Sequence, residues 1–435
     1  MLMISLIPAL IKVIFVFALI LGLNKLRLSL SLSLFAGSVV LGLIMRLGPF
    51  EMAKSVFFSL ISLQTISLIL IIWFILVISR LMKESSHLDR ILGSFGKITS
   101  DARITSLVMP ALIGLLPMPG GALFSAPMVQ SALGKNNITG EEKTVINYWF
   151  RHIWEYWWPL YPGVVLAVAL LDVDSWRFMV QMAPMTLVTV ITGILFILRP
   201  VGRITIDHKK SISLTGTKGF LWEIMPILII VPVIIILACL TGLLALLGID
   251  VKISGAVSIL PGLVISIIWV CAANHIPSAK VFPAFKDKKI FPMVLLVAAI
   301  MVFKGIMVDS HAVIQIRDEL VAYNISAMLI ILIIPFFSGF ITGIAIGFVG
   351  ISFPLIIPLF PTSQSFDYLS YAALAYTFGY MGMMLSPVHL CFLVTKDFFN
   401  ANLLRCYRHL ILPALAVMVM SVMIFLISRV IGLEL

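Results

Sequence analysis

The segment 147–158 concentrates the ionisable residues that could do chemistry inside an otherwise apolar chain. It reads NYWFRHIWEYWW. Arg151 and Glu155 are four residues apart, which predicts that they share one face of a helix and neutralise each other, with His152 beside them. Because a charge at the centre of a bilayer costs at least about 2.5–3.5 kcal/mol, such residues normally face a cavity. The pattern indicates either direct handling of a substrate or proton, or a structural ion pair.

A second set of candidate ligands lies near the end of the chain. Ser386 and His389 flank Pro387 in the break LSP at 385–387, and a similar break, WPLYPG, occupies 158–163. An imidazole titrates near neutral pH, so His389 could carry a coupling proton. The alternative is a hydrogen-bonded structural histidine.

Two apolar stretches interrupted by prolines and glycines would bring backbone groups to these side chains. They span 104–133 and 331–361. In a bilayer, non-helical backbone is tolerated only where protein or a water-filled cavity satisfies its polar groups. Paired interruptions of this kind are typical of binding sites in secondary transporters. We predict two re-entrant hairpins; the alternatives are a proline-kinked first span and a second helix whose glycines serve packing.

The predicted hairpin tips offer mainly backbone groups and hydroxyls. Glycine permits close approach of a ligand, and a helix that restarts after a tip directs free N–H groups towards an anion. The predicted substrate-binding residues are Pro119, Gly120, Gly121, Ser125, Asn147, Arg151, His152, Glu155, Thr342, Gly343, Ser352, Ser386 and His389. The candidates for binding a coupling ion are Ser125, Glu155, Ser352 and His389.

Composition indicates a membrane protein. Of 435 residues, 61% are hydrophobic and 11% are charged, whereas soluble domains carry about 25% charged residues. The formal charge of +11 is explained by basic cytoplasmic loops, so we expect no nucleic-acid partner. No cysteine has metal-ligand spacing, and we expect free, buried thiols at Cys239, Cys271, Cys391 and Cys406. Whether a metal binds stays open.

Ten apolar segments are long enough to cross a bilayer. They are 4–23, 28–48, 56–80, 146–170, 176–199, 222–247, 252–273, 290–310, 367–395 and 408–432. We therefore predict an all-α polytopic membrane protein with ten transmembrane helices plus two re-entrant hairpins in a 5+5 inverted repeat. The first repeat would occupy 1–199, a cytoplasmic linker 200–221, and the second repeat 222–435.

The distribution of basic residues predicts the orientation of the spans. Most Lys and Arg residues fall in alternate connections, which the positive-inside rule assigns to the cytoplasm. Both termini would then lie outside the cell membrane of a prokaryote, and the hairpins would enter from opposite sides. The pattern G-x4-S-x-P, which begins at Gly120, recurs 227 residues later at Gly347. This echo supports the predicted repeat.

In architecture the chain resembles the ion transporter superfamily, which includes dicarboxylate symporters and gluconate permeases. Within that group it most resembles the ten-span family called domain of unknown function 401. The segments that carry this likeness are LLPMPGGALFSAPM at 115–128, NYWFRHIWEYWWPLYPG at 147–163 and SPVHLCFLVTKDFF at 386–399. The resemblance implies an elevator-type secondary transporter and a homodimer, with the site between hairpin tips and broken helices.

One departure from that group concerns the substrate. Its dicarboxylate symporters carry Ser-Asn-Thr at each tip, whereas this chain has PGG at 119–121 and TGI at 342–344. The departure leaves both a dicarboxylate substrate and sodium coupling open.

Together these features favour a secondary active transporter of a small, carboxylate-like organic anion, coupled to H⁺ or Na⁺. We expect no enzymatic activity and no organic cofactor, because neither an HExxH nor a Walker motif occurs. A passive channel for ions or small solutes is the alternative. An intramembrane enzyme acting on a lipid-type substrate has weaker support.

Overall fold

The computed structural model describes residues 7–86, 90–91, 94, 102–117, 121–134, 138–199, 214–249, 251, 253, 255–288, 290–324, 326–361 and 367–431. Within these ranges every regular element is a helix. Among the described residues, four helices are long and apolar enough to cross a membrane, or five if one bent pair of helices is counted as a single span. Length and composition thus support a multi-pass membrane protein. Pro119, Gly120 and linker residues 200–213 lie outside the described ranges.

The first part of the chain begins with four helices. They are α1 (Ala9–Lys25), α2 (Leu30–Ile44), α3 (Pro49–Ile61) and α4 (Leu63–Glu84). Local sequence explains their starts: Ser29 accepts a hydrogen bond at the start of α2, Pro49 opens α3, and Ser62 caps α4 through Thr65 N at 3.2 Å.

The first interrupted stretch forms two helices that pack against each other, α5 (Ala102–Gly114) and α6 (Ala122–Leu133). The next helix, α7 (Gly140–Arg151), starts at a capping box in which Thr139 and Glu142 exchange hydrogen bonds. It ends at Arg151, and helix resumes only at α8 (Pro162–Leu171). The break therefore covers 152–161, so it begins earlier than the break predicted at 158–163. The helix α9 (Ser175–Gly193) follows and continues as one π-helical turn, Ile194–Leu198.

The described residues of the second part of the chain begin with six helices. They are α10 (Leu214–Leu228), α11 (Ile230–Leu246), α12 (Ile259–Ala273), α13 (Ser278–Phe285), α14 (Ile290–Asp309) and α15 (Ala312–Ala322). The pair α10 and α11 is bent by 54°. The second interrupted stretch forms α16 (Ala327–Thr342) and α17 (Ala345–Ile356), and the chain ends with α18 (Tyr368–Met384), α19 (Leu390–Phe398) and α20 (Leu403–Ile431).

The turn between α16 and α17 is sharper than the sequence pattern suggested. The predicted tip covered 338–343, but α16 continues through Thr342 and the chain reverses at Gly343 and Ile344. Gly343 has φ +66°, a left-handed conformation that glycine adopts without steric cost.

Burial separates central helices from peripheral ones. All residues of α8 from Gly163 to Leu171 are buried, as are those of α17 from Ile346 to Ile356. The two helices pack so closely that a Cβ on Gly163 would lie 2.6 Å from Ala345 Cβ. By contrast, only Ile230 and Ile234 are buried in the equally apolar α11, as expected of a helix that faces lipid.

Candidate functional site

The two interrupted helix pairs, α7–α8 and α18–α19, meet at their interruptions. Tyr380 on α18 donates its hydroxyl hydrogen bond to the carbonyl oxygen of His152 at 2.6 Å. Tyr376, one turn earlier, donates to the carbonyl oxygen of Glu155 at 2.9 Å. Since a buried carbonyl without a partner is unfavourable, these tyrosines stabilise the non-helical backbone of the first break.

The first helix pair makes the reciprocal contact, from α7 to the end of α18. Tyr148 on α7 donates to the carbonyl oxygen of Met384, where α18 ends, at 3.0 Å. Tyr148 and Tyr376 are 228 positions apart in the chain, and so are Pro159 and Pro387 in the two breaks. Tyr148 and Tyr376 therefore occupy matching positions, and each donates a hydrogen bond to the backbone at the interruption of the other helix pair.

Three ionisable side chains meet at the start of the first break. Arg151 Nη1 and His152 Nε2 both lie 3.8 Å from Glu155 Oε1, and Arg151 Nη1 is 3.4 Å from His152 Nε2. Arg151 is 2% exposed and Glu155 6%. The predicted contact between Arg151 and Glu155 exists, but the prediction that both lie on one face of a helix is wrong. Because α7 ends at Arg151, it is the turns of the break that place Glu155 beside Arg151.

The first hairpin approaches this cluster through two glycines. A Cβ on Gly114 would overlap the carbonyl oxygen of Arg151, and a Cβ on Gly121 would lie 2.5 Å from Arg151 Nη2. Asn147 Nδ2 also donates to the carbonyl oxygen of Ala122 at 3.0 Å, at the start of α6. The end of α5 and the start of α6 therefore both contact the segment that carries the arginine.

The second hairpin reaches the same cluster from its own turn. A Cβ on Gly343 would lie 3.0 Å from Ser386 Oγ and 3.1 Å from the backbone nitrogen of His389. The ring of His389 lies 5.1 Å from that of His152 and 5.3 Å from that of Tyr148, centroid to centroid. The structure thus brings together Gly121, Asn147, Arg151, His152, Glu155, Gly343, Ser386 and His389.

The predicted hydroxyl ligands are engaged with their own helices. Ser125, Thr342 and Ser352 donate to backbone carbonyl oxygens three or four residues earlier, at 3.3, 2.7 and 2.5 Å. Their hydrogens are committed in this conformation, so their free lone pairs suit a cation better than a carboxylate.

Sequence reasoning missed one member of the cluster. Cys391 offers a sulfur that lies, together with one nitrogen of His152 and one of His389, in a group of donor atoms within 4.8 Å of one another. The expectation of four buried thiols is also wrong for Cys239, which is exposed, while Cys271 is intermediate. The available signal was the position of Cys391, two residues after the histidine that follows a helix break.

Comparison with known proteins identifies the family of this chain. The profile of the family described as "Protein of unknown function (DUF401)" matches residues 4–428, which include both interrupted stretches and both interrupted helix pairs. No curated protein matches the chain. Because the match extends over nearly the whole sequence, the protein belongs to the DUF401 family.

Proposed function

We propose that the protein is an ion-coupled secondary active transporter of a small, carboxylate-like organic anion, working by elevator-type alternating access. The observation that carries this proposal is the buried Arg151–Glu155 pair at the meeting point of both interrupted helix pairs and both hairpins. A buried ion pair is a poor stabiliser compared with apolar residues of similar volume. Its presence inside a membrane helix bundle therefore favours a functional role.

The geometry of the pair suits exchange of partners. Arg151 Nη1 and Glu155 Oε1 are 3.8 Å apart, longer than the roughly 2.7–2.9 Å of a charge-assisted hydrogen bond. A substrate carboxylate could bind the guanidinium in the fork geometry that arginine favours, while Glu155 accepts a proton. Binding of the anion and of a proton would then be coupled; Na⁺, held by oxygens such as those of Ser125 and Ser352, is the alternative coupling ion.

Helix ends add positive character to the same region. The α8 and α17 helices both begin where Gly163 and Ala345 are in contact. Each helix N-terminus carries roughly half a positive charge. Two of them side by side, close to a buried arginine, favour an anion over a cation as the transported species.

The proposed architecture has ten transmembrane helices and two re-entrant hairpins in a 5+5 inverted repeat, as in the ion transporter superfamily. Two observations support it: a hairpin followed by an interrupted helix pair and a final helix occurs in both parts of the chain, and the tyrosines are matched. The lengths of α7 and α8, 12 and 10 residues, correspond to about 18 and 15 Å. Each is about half of the roughly 30 Å hydrocarbon core, so the first break would lie near the midplane. We propose a homodimer in a prokaryotic cell membrane.

Uptake into proteoliposomes tests this function. Purified protein would be offered a panel of labelled mono-, di- and tricarboxylates under a pH gradient or a Na⁺ gradient. We expect accumulation of one class against its gradient, its loss in Arg151→Gln and in Gly121→Leu, and partial retention in Arg151→Lys. Arg405→Gln is the matched control, since this arginine is exposed on α20.

Two results would contradict the proposal. If Arg151→Gln accumulates substrate as the wild type does, the arginine does not bind the anion. If flux never exceeds equilibration, the protein is a channel rather than a secondary transporter.

A further inference from the structure

His152, His389 and Cys391 form a compact donor cluster that the exchange at Arg151 does not use. Their ligand atoms lie within 4.8 Å of one another, and all three residues are buried. They come from two distant parts of the chain, the first break and the start of α19. We propose that they form, with Glu155, a binding site for a thiophilic divalent metal ion of the Zn²⁺ class.

The orientation of the two imidazoles supports this assignment. His152 Nδ1 lies 2.6 Å from the carbonyl oxygen of Tyr148, so Nδ1 carries the hydrogen and Nε2 presents its lone pair to the cluster. Metal-bound histidines are held in this way by a backbone carbonyl. His389 Nδ1 is buried and makes no hydrogen bond of normal geometry among the described residues, so the ring is available to a ligand.

The donor types select the metal. Two imidazole nitrogens and a thiolate suit Zn²⁺ and related ions, whereas Mg²⁺ and Ca²⁺ require oxygen ligands. Glu155 Oε1, 3.8 Å from His152 Nε2, can complete a tetrahedral set. Metal–ligand bonds of about 2.0–2.3 Å imply ligand atoms about 3.5 Å apart. The cluster must therefore contract by about 1 Å, which draws the two interrupted helix pairs together.

Charge explains how the site coexists with Arg151. A divalent ion with the thiolate of Cys391 and the carboxylate of Glu155 is neutral, and formation of the thiolate releases one proton. The guanidinium of Arg151, 3.4 Å from His152 Nε2, must turn away from the metal. Its ion pair with Glu155 is then broken. A guanidinium released from Glu155 can then bind an organic anion, with the metal in place of the proton that Glu155 accepts during the proposed transport. Metal and anion should therefore each increase the affinity for the other. This last consequence rests on the proposed function, whereas the metal site itself does not.

Cobalt binding tests the site. The full-length protein in detergent, stripped of metal with a chelator, would be titrated with Co²⁺, and Zn²⁺ would be added as a competitor. We expect one equivalent of Co²⁺ with the visible bands of tetrahedral coordination and a sulfur-to-cobalt charge-transfer band, both abolished by Zn²⁺. Cys391→Ser should remove the charge-transfer band and weaken binding at least about 10-fold, the smallest effect expected even for loss of an outer-shell partner.

Matched controls separate ligation from folding. Cys406→Ser alters the other buried cysteine and should leave the cobalt spectrum unchanged. If Cys391→Ser does not fold, zinc-edge X-ray absorption of the wild-type protein decides, because the site requires one sulfur neighbour together with nitrogen and oxygen. Absence of stoichiometric binding, or a first shell without sulfur, would overturn the proposal. Both readouts are independent of transport, so failure of uptake and failure of metal binding remain distinguishable.

Discussion

The two helix breaks, 152–161 and 385–389, are alike in packing and different in chemistry. The backbone at each break accepts a hydrogen bond from a tyrosine of the other helix pair. Each break also lies against a glycine of the hairpin that precedes it in the chain. The first break, 152–161, directly follows Arg151 and contains His152 and Glu155, whereas 385–389 contains His389 but no Asp, Glu, Lys or Arg. The shared packing holds two stretches of non-helical backbone in place, and the Arg151–Glu155 ion pair lies at only one of them.

Removing the charge at the first break should have the largest effect on stability. Arg151→Ala would leave the buried carboxylate of Glu155 without its cation, a change that costs about 3–5 kcal/mol. The double variant Arg151→Ala/Glu155→Ala should recover much of this loss. Chemical unfolding in detergent measures both.

The control for that prediction is an exposed ion pair. Arg429 Nε and Asp367 Oδ2 are 3.5 Å apart, with side chains 51% and 35% exposed. Arg429→Ala should cost less than about 1 kcal/mol. Equal losses of stability in Arg151→Ala and Arg429→Ala would show that burial of the Arg151–Glu155 pair does not increase the cost of removing its cation.

Glycine contacts should show that the two hairpins pack alike. A Cβ on Gly114 would overlap the carbonyl oxygen of Arg151, and a Cβ on Gly339 would overlap that of Gly379. Each alanine variant should lose about 1–3 kcal/mol through overpacking. Gly22→Ala is the control, because a Cβ there meets nothing within 4 Å. A loss confined to one hairpin, measured by thermal unfolding, would break the equivalence.

The matched tyrosines offer a finer comparison. Tyr148→Phe and Tyr376→Phe each remove one hydrogen bond to a carbonyl of the opposite break and keep the ring. Both should lose about 1 kcal/mol. Tyr323→Phe, at an exposed tyrosine, should lose nothing measurable. Unequal losses of unfolding free energy in urea would show that one break is stabilised more by the tyrosine of the other helix pair than the other break is.

The smallest effect should come from the second break, 385–389. Ser386 Oγ accepts a hydrogen bond from the backbone nitrogen of Val388 at 3.3 Å. Ser386→Ala should therefore lose only about 0.5 kcal/mol, as measured by thermal unfolding. A loss larger than that of the tyrosine variants would mean that the second break is held mainly by its own side chain.

Much of the helical pattern was predictable because its causes are local. The segment predicted at 28–48 contains α2, and the two interrupted stretches do break near their glycines. Boundaries were less accurate: α16 continues past Ser338 and Gly339 to Thr342, and the left-handed turn lies at Gly343. The cause assigned to the Arg151–Glu155 contact was wrong, since helical spacing was assumed where the helix had already ended.

By itself, the amino-acid sequence determined that this chain is helical and apolar, in which regions its helices break, and which ionisable residues are near the first break. These properties follow from composition and from prolines and glycines that act on their neighbours. Only the tertiary structure decided that Tyr376 and Tyr380 satisfy the first break and that Cys391 joins His152 and His389. Such contacts link residues more than 200 positions apart, and they depend on how whole helices cross, which short-range preferences do not specify.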